Sequence, residues 1–186
     1  MLMSYCTTCH QRLWQLKQTL EHNLAFTQAG SVELCILAYN DTETYQYLRE
    51  HYAEYIADGR LRVLDWRDEK AFADGSTWSC GYVKHLAHLM GRGDVLFNLD
   101  ADNFIDDELH KALLSLQPNE LLITLQSEWR DDGRSGRIGV HRSMYGKARY
   151  RDKGRGDDGD FISQCISQGA RVQQIRCAMT PIDNER

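Results

Sequence analysis

Short apolar runs rich in β-branched and aromatic residues alternate here with segments whose leucines recur at helical spacing, and that rhythm leaves few folds open. Leu2 to Thr7 reads as a first strand, and Val32 to Tyr39 as a second. Between them Leu13, Leu16, Leu20 and Leu24 mark one face of a helix that Gly30 ends. Thr42 or Thr44 is placed to cap a helix carrying Tyr45, Leu48, Tyr52 and Ile56 on one side. Leu61 to Leu64 is a third, short strand; a looser stretch, Asp65 to Thr77, leads into a helix from Trp78 to Met90 closed by Gly91. Asp94 to Leu99 forms a fourth strand, and Asp106, Asp107 and Glu108 open the next helix, where its dipole favours acids. Leu121 to Thr124, a helix from Phe161 to Gln168 and a strand from Val172 to Ile175 complete the pattern. The predicted fold is α/β: a mostly parallel sheet with helices on both faces, whose ligands bind outside the carboxyl ends of its strands.

Nothing in the 186 residues divides this pattern. Only Pro118 and Pro181 interrupt it, and no repeat or Ser/Gly-rich linker occurs, so a single domain spanning 1–186 is expected. With 42% hydrophobic residues the chain can bury a core, which excludes intrinsic disorder. No apolar run approaches the roughly 20 residues of a membrane span. The first residues carry neither a basic segment nor an apolar one of the kind that opens a secretory signal. Cys6, Cys9, Cys35, Cys80, Cys165 and Cys177 are scattered, several within apolar runs, as buried free thiols in a reducing compartment would be. Cys6-Thr7-Thr8-Cys9 followed by His10 has the spacing of half a zinc site but no second pair; a strand end with thiols on opposite faces is the simpler reading.

Three constellations carry chemistry. Asn98-Leu99-Asp100-Ala101-Asp102-Asn103 closes the fourth strand, and two carboxylates one residue apart can share a hard cation that keeps positions open for phosphate oxygens. Acidic pairs are common in surface turns; the weight here comes from an apolar strand delivering the pair to the ligand-binding edge. In Gly154-Arg155-Gly156-Asp157-Asp158-Gly159-Asp160-Phe161 the glycines permit close backbone approach, and one acid can accept a proton from an attacking hydroxyl. An ordinary helix start with acidic first-turn residues is the plainer account of the same letters. Finally, residues 130–155 hold nine basic side chains against three acidic ones, a net +6, while the remainder holds 13 basic and 24 acidic, a net −11. Such a stretch, which includes Gly136-Arg137-Ile138-Gly139, suits a diphosphate or a larger anionic partner, though a solvated face accounts for most of these side chains.

In order and interval these segments resemble the GT-A glycosyltransferases, the nucleotide-diphospho-sugar transferases, and especially the family-2-like ones. Gly93 to Asp102 is similar to their Gly-Asp-apolar-Leu-Asp-x-Asp segment, the most specific match. Thr7 to Arg12 occupies the place of their first nucleotide-contacting loop, and Gly136 to Arg142 that of the strand and loop before the acceptor site. Gly154 to Phe161 looks like their acidic segment, one residue shorter and with Asp157 in place of Glu. The resemblance implies a donor-binding half over about residues 1–103 and an acceptor and catalytic half over about 104–186. Asp100, Ala101 and Asp102 would border the donor, Asp100 and Asp102 holding Mn²⁺ or Mg²⁺, with His141 available as a third ligand. Thr7, Thr8 and Arg12, with Asn40 or Asp41 at the second strand's end, would surround base and ribose, and Asp65 is a further candidate there. Lys84 or His85 matches a position where the family often carries a basic residue and an Asn near the donor. Asp158 would be the general base, with Asp157 the fallback.

The implied activity is metal-dependent, hexosyltransferase-like transfer of a sugar from a nucleotide-sugar donor, UDP being the expected nucleotide, with inversion rather than retention. The acceptor would be a soluble saccharide or a modified nucleic-acid base, in the cytoplasm and without a membrane. The alternative is a non-catalytic nucleotide-sugar-binding module of the same fold. A nucleotidyltransferase is disfavoured, since Tyr5 to Gln11 contains no glycine to cradle phosphates.

Overall fold

The computed structural model describes residues 1–69, 77–125, 134–152, 156–176 and 181–183. Seven strands form one sheet: β1 (Met3–Cys9), β2 (Val32–Tyr39), β3 (Leu61–Trp66), β4 (Val95–Asn98), β5 (Glu120–Leu125), β6 (Arg134–His141) and β7 (Arg171–Arg176). Their order across the sheet is β3-β2-β1-β4-β6-β5-β7. All run the same way except β6, which lies antiparallel between β4 and β5. The parallel expectation therefore holds with one exception, and the exception sits in the middle. Gly139 of β6 allows that insertion, because a Cβ there would press on Leu113 and Phe97.

Helices cover both faces. On one lie α1 (Leu13–Ala25), α2 (Thr42–His51) with the short α3 (Ala53–Ala57), and α5 (Asp107–Leu114). Leu16, Leu20, Leu24, Leu48, Leu109 and Leu113 pack there on Tyr5, Leu34, Ile36 and Phe97. On the other lie α4 (Cys80–Met90), α6 (Arg142–Tyr145) and α7 (Asp157–Ser167), whose Val83, Ala87, Tyr145 and Phe161 meet Leu37, Leu96, Ile138 and Val140. Strand alternation divides the two cores: Cys9 belongs to the first and Cys6 to the second, so the two thiols face opposite ways, as the spacing suggested. All five described cysteines are free.

Three local expectations need correction. The helix after β2 is capped by Asp41, whose Oδ1 accepts from the Thr44 backbone N–H at 3.1 Å, rather than by Thr42 or Thr44. It breaks at Tyr52, so Tyr45 and Ile56 sit on separate helices. The last helix begins at Asp157, which brings the acidic residues into its first turn. The expected loose stretch before α4 lies partly, at residues 70–76, outside the described residues. No helix among the described residues is long and apolar enough to cross a membrane.

α4 approaches its neighbours most closely at Gly81, where a Cβ would run into the Arg151 carbonyl and crowd the Asp157 side chain. A methyl group there must displace backbone rather than a flexible side-chain tip. Gly81→Ala is expected to lower unfolding free energy by about 1–3 kcal/mol, the usual cost of overpacking; a denaturant midpoint unchanged from the parent would show that α4 has room to spare.

Candidate active site

The carboxyl ends of β1 to β4 and the start of β6 share one edge, and four carboxylates gather along it. Asp100 and Asp102 follow β4, while Asp157 and Asp158 open α7. Lys84 joins the groups from α4. Its Nζ, in a side chain 3% exposed as a whole residue, donates to Asp158 Oδ1 at 2.6 Å and to Asp157 Oδ2 at 3.0 Å. Asn98, the last residue of β4, makes the second link: its Nδ2 donates to Asp100 Oδ1 at 3.0 Å and to the Gly136 carbonyl at 3.1 Å. Gly136 in turn abuts Asp158, leaving no room for a side chain between β6 and that carboxylate.

Burial and mutual repulsion set the electrostatics of this edge. Burial of Asp158 raises its pKa; Lys84 opposes that, Asp157 and Asp100 add to it, and the result is pushed up to about 6. Burial also works against the charge of Lys84, yet Asp100 and Asp158, with Cys80 and Asp157, outweigh it and hold the ammonium above its ordinary range. Asp102 is raised by burial and by Asp100, against the Asn103 side chain, which donates to its Oδ1 at 2.6 Å, and the charge of Arg12. Among the described residues no three Asp, Glu, His or Cys side chains form a ready-made cation cage. The donor set at the end of β4 is two hard oxygen ligands with a surplus of negative charge, which fits a Mg²⁺- or Mn²⁺-like ion completing its shell with water and phosphate.

The other expected residues divide between this edge and elsewhere. Thr7 is buried within β1, Thr8 lies on the Cys6 face, and Ala101 is buried between the two acids. Arg12 stands at the N-cap position of α1 without a capping side-chain hydrogen bond, and its Nη1 donates to Gln15 Oε1 at 2.9 Å. Asn40, in the left-handed region at φ 48°, exchanges two 2.9 Å hydrogen bonds with the Asp68 backbone and so ties β2 to β3. Asp41 Oδ2 accepts from the Gln11 N–H and the Thr44 hydroxyl, both at 2.8 Å, which fixes the turn after β1. A cleft of about 590 Å³, lined by Gln11, Trp14, Lys17, Asp41 and Glu43 among others, opens beside that turn. Asp65 pairs with Arg67 at 3.0 Å.

Two expectations fail on position. His141 pairs with Val95, the first residue of β4, so it sits at the opposite sheet edge from Asp100 and Asp102, with Nε2 2.8 Å from the Leu116 carbonyl. It is no third metal ligand. His85 points away from the acids, one helical step round from Lys84, with Nδ1 2.9 Å from Tyr145 Oη. Nor does the basic stretch make one surface among the described residues. Arg137 is buried, Arg142 donates to the Gly91 and Gly93 carbonyls, and Arg151 pairs with Asp160. Arg130, Lys153, Gly154 and Arg155 lie outside the described residues.

Asn98 was not singled out by sequence reasoning, although a lone amide ending an apolar strand is the signal that would have found it. Lys84, read from sequence with His85 as a residue near the donor, is tied to the acids. Removing one member of a buried ion cluster leaves the others unpaired, at a cost of about 3–5 kcal/mol. Lys84→Met is therefore expected to lose about that much stability near neutral pH. Protonation of the freed carboxylates relieves the repulsion, so the deficit should shrink as pH falls through the range where Asp158 takes up its proton. Urea titrations across pH check this; a deficit independent of pH would contradict the charge argument.

Known structures share this architecture at low sequence identity. No protein-family model and no curated protein sequence matches the chain. A mannosyltransferase from Pyrobaculum calidifontis, solved with GDP-Man and Mn²⁺, superposes with a TM-score of 0.71 at 12% identity, over 94% of this chain and 54% of that one. S. aureus TarS, residues 1–349, gives 0.68 at 14% identity over 94% and 58%. Glucosyl-3-phosphoglycerate synthase from Mycobacterium tuberculosis, with Mn²⁺, UDP and phosphoglyceric acid, gives 0.63 at 17% identity over 94% and 68%. A Methanothermobacter nucleotidyl transferase gives 0.66 at 13% identity over 96% and 88%. The chain spans little more than half the length of the first two. Its fold is that of the nucleotide-diphospho-sugar transferases, the GT-A fold.

Proposed function

We propose that the chain is a divalent-metal-dependent glycosyltransferase that moves a sugar from a nucleotide-diphosphate donor, UDP being the expected nucleotide, to an acceptor hydroxyl with inversion. The observation that carries the reading is the convergence of the acidic loop after β4 on the acidic start of α7: Lys84 donates to Asp157 and Asp158 and feels the charge of Asp100, and Asn98 ties Asp100 to Gly136, which abuts Asp158. One pair of carboxylates suits a leaving diphosphate and the other suits an attacking hydroxyl, and the two lie on one sheet edge.

Asp100 and Asp102 would hold the cation, which supplies positive charge against the departing diphosphate. The chain's own groups do the rest. The acceptor oxygen forms a bond to the anomeric carbon as the carbon–phosphate-oxygen bond breaks, and Asp158 takes the hydroxyl proton. With a pKa of about 6, Asp158 is ionised near neutrality yet basic enough to share that proton. Lys84 keeps Asp157 and Asp158 in place, and the missing side chain at Gly136 leaves Asp158 Oδ2 its space. Arg12, whose charge is felt at Asp102, adds a cation on the donor side. The length agreement with a nucleotidyl transferase favours a second reading, nucleotidyl transfer. The turn from Cys9 to Arg12 has no glycine, however, and its one left-handed residue is Gln11, so it offers little backbone to cradle a triphosphate.

Two labelled substrate sets, each with and without Mn²⁺, separate these readings: UDP released from a UDP-sugar marks sugar transfer, and pyrophosphate released from UTP with a sugar phosphate marks nucleotidyl transfer. Asp102→Asn should cut turnover by more than about 100-fold, since even outer partners of a metal ligand are worth 10–100-fold. Undiminished turnover in a chelator would overturn the metal role. On the acid side kcat/KM should fall about tenfold per pH unit below about pH 6, because the base must be ionised. Asp157→Asn removes a neighbour that raises Asp158 and should move that limb to lower pH.

A further inference from the structure

A polar stripe on α1 holds the backbone that carries Asp102. Gln15, Thr19 and Asn23 are spaced at i, i+4 and i+8 beside the leucine stripe and are 1%, 0% and 3% exposed. Three buried polar side chains in a row on a core-facing helix are costly unless each finds a partner. Every one of them finds it outside the helix. Thr19 Oγ1 donates to the Ala101 carbonyl at 2.8 Å. Asn23 Nδ2 donates to the Asn103 carbonyl at 2.9 Å, and its Oδ1 accepts from the Ile105 N–H at 2.8 Å. Gln15 Nε2 donates to the carbonyls of Asp183 at 3.0 Å and Ile182 at 3.4 Å, and the Ile182 N–H donates to the Asp102 carbonyl at 2.8 Å.

The residues between β4 and α5 form neither strand nor helix, so most of their peptide groups have no ladder or helical partner. The stripe supplies those partners on both sides of Asp102, and the Asn103 it anchors bonds the Asp102 carboxylate directly. Ordinary apolar residues at 15, 19 and 23 would have packed the helix as well. Gln15 also accepts from Arg12 and Thr19 also reaches the Leu16 carbonyl at 3.3 Å, but each of the three sends a hydrogen bond off the helix, to this loop or to the segment bonded to it.

We infer that Gln15, Thr19 and Asn23 are positioning residues for the cation-binding carboxylates: by fixing the backbone of residues 101–103 they hold Asp102 in its metal-ligating place. This rests on the transferase reading above, and its test reads metal binding rather than turnover. Free Mn²⁺ is followed by electron paramagnetic resonance in the presence of UDP, with the full chain. Thr19→Val and Asn23→Leu should each weaken Mn²⁺ binding about 10–100-fold, the effect typical of outer-shell partners, while Thr19→Ser stays within about threefold of the parent. Thr19→Ala replaces Thr19→Val should the latter not fold. A purely structural stripe would lower unfolding midpoints and leave Mn²⁺ affinity alone, so parent-like binding by the folded variants overturns the inference. A parent chain that binds no Mn²⁺ with UDP overturns the transferase reading and this one with it.

Discussion

The ammonium of Lys84 is the charge on which the carboxyl edge of the sheet depends. Asp100, Asp157 and Asp158 come from segments more than fifty residues apart in sequence, and burial at a common edge sets their charges against one another. A buried cation donating to two of them and acting on the third makes that convergence tolerable. The close approach of α4 at Gly81, one turn earlier on the same helix face, brings Lys84 within reach. Close packing and charge compensation are therefore two aspects of one contact between α4 and α7.

The two ends of the sheet handle buried charge differently, which separates architecture from chemistry. At the amino end Glu33 is buried, and burial alone would raise it. The Arg92 backbone N–H, the Ser4 hydroxyl and the Arg92 guanidinium all donate to it, and its carboxyl is held below the usual range. There one anion meets two cations, Arg92 at 2.8 Å and Arg62 at 4.0 Å, and both of its oxygens accept hydrogen bonds. At the carboxyl end anions outnumber cations, and both Asp102 and Asp158 are held above the usual range. A site left short of positive charge in its resting form is one that gains from receiving it, and the proposed transferase chemistry draws on that imbalance.

Much of this was legible in the sequence, for identifiable reasons. Val32 to Tyr39 appears as a strand with the predicted ends because its apolar run is bounded by Gly30-Ser31 and Asn40-Asp41. Asp100 and Asp102 could be placed at the ligand edge because strand-helix-strand succession before them implies parallel strands, whose carboxyl ends share one edge. The antiparallel β6 was not foreseen, since alternation reports that a strand exists and not which way it runs. For the same reason His141 went to the wrong edge: a residue at the end of a reversed strand lies at the amino side of its neighbours. Lys84 and His85 were separable only by helical phase, where one step of about 100° decides between an acidic cluster and the ring of Tyr145. The polar stripe on α1 went unread beside the leucines, because its partners are backbone groups, and those carry no sequence signature.

The raised pKa values tie the two halves of the proposed chemistry together. Asp102 is raised by burial and by Asp100, so a cation placed between them would relieve the repulsion that raises it. Asp158 is raised in the same region and feels Asp100 as well, so positive charge arriving at Asp100 also lowers the cost of ionising Asp158. Donor loading and activation of the base are then coupled through Asp100, which faces both. Below about pH 6, where Asp158 carries its proton for part of the time, that coupling would favour the ionised base once the cation is seated.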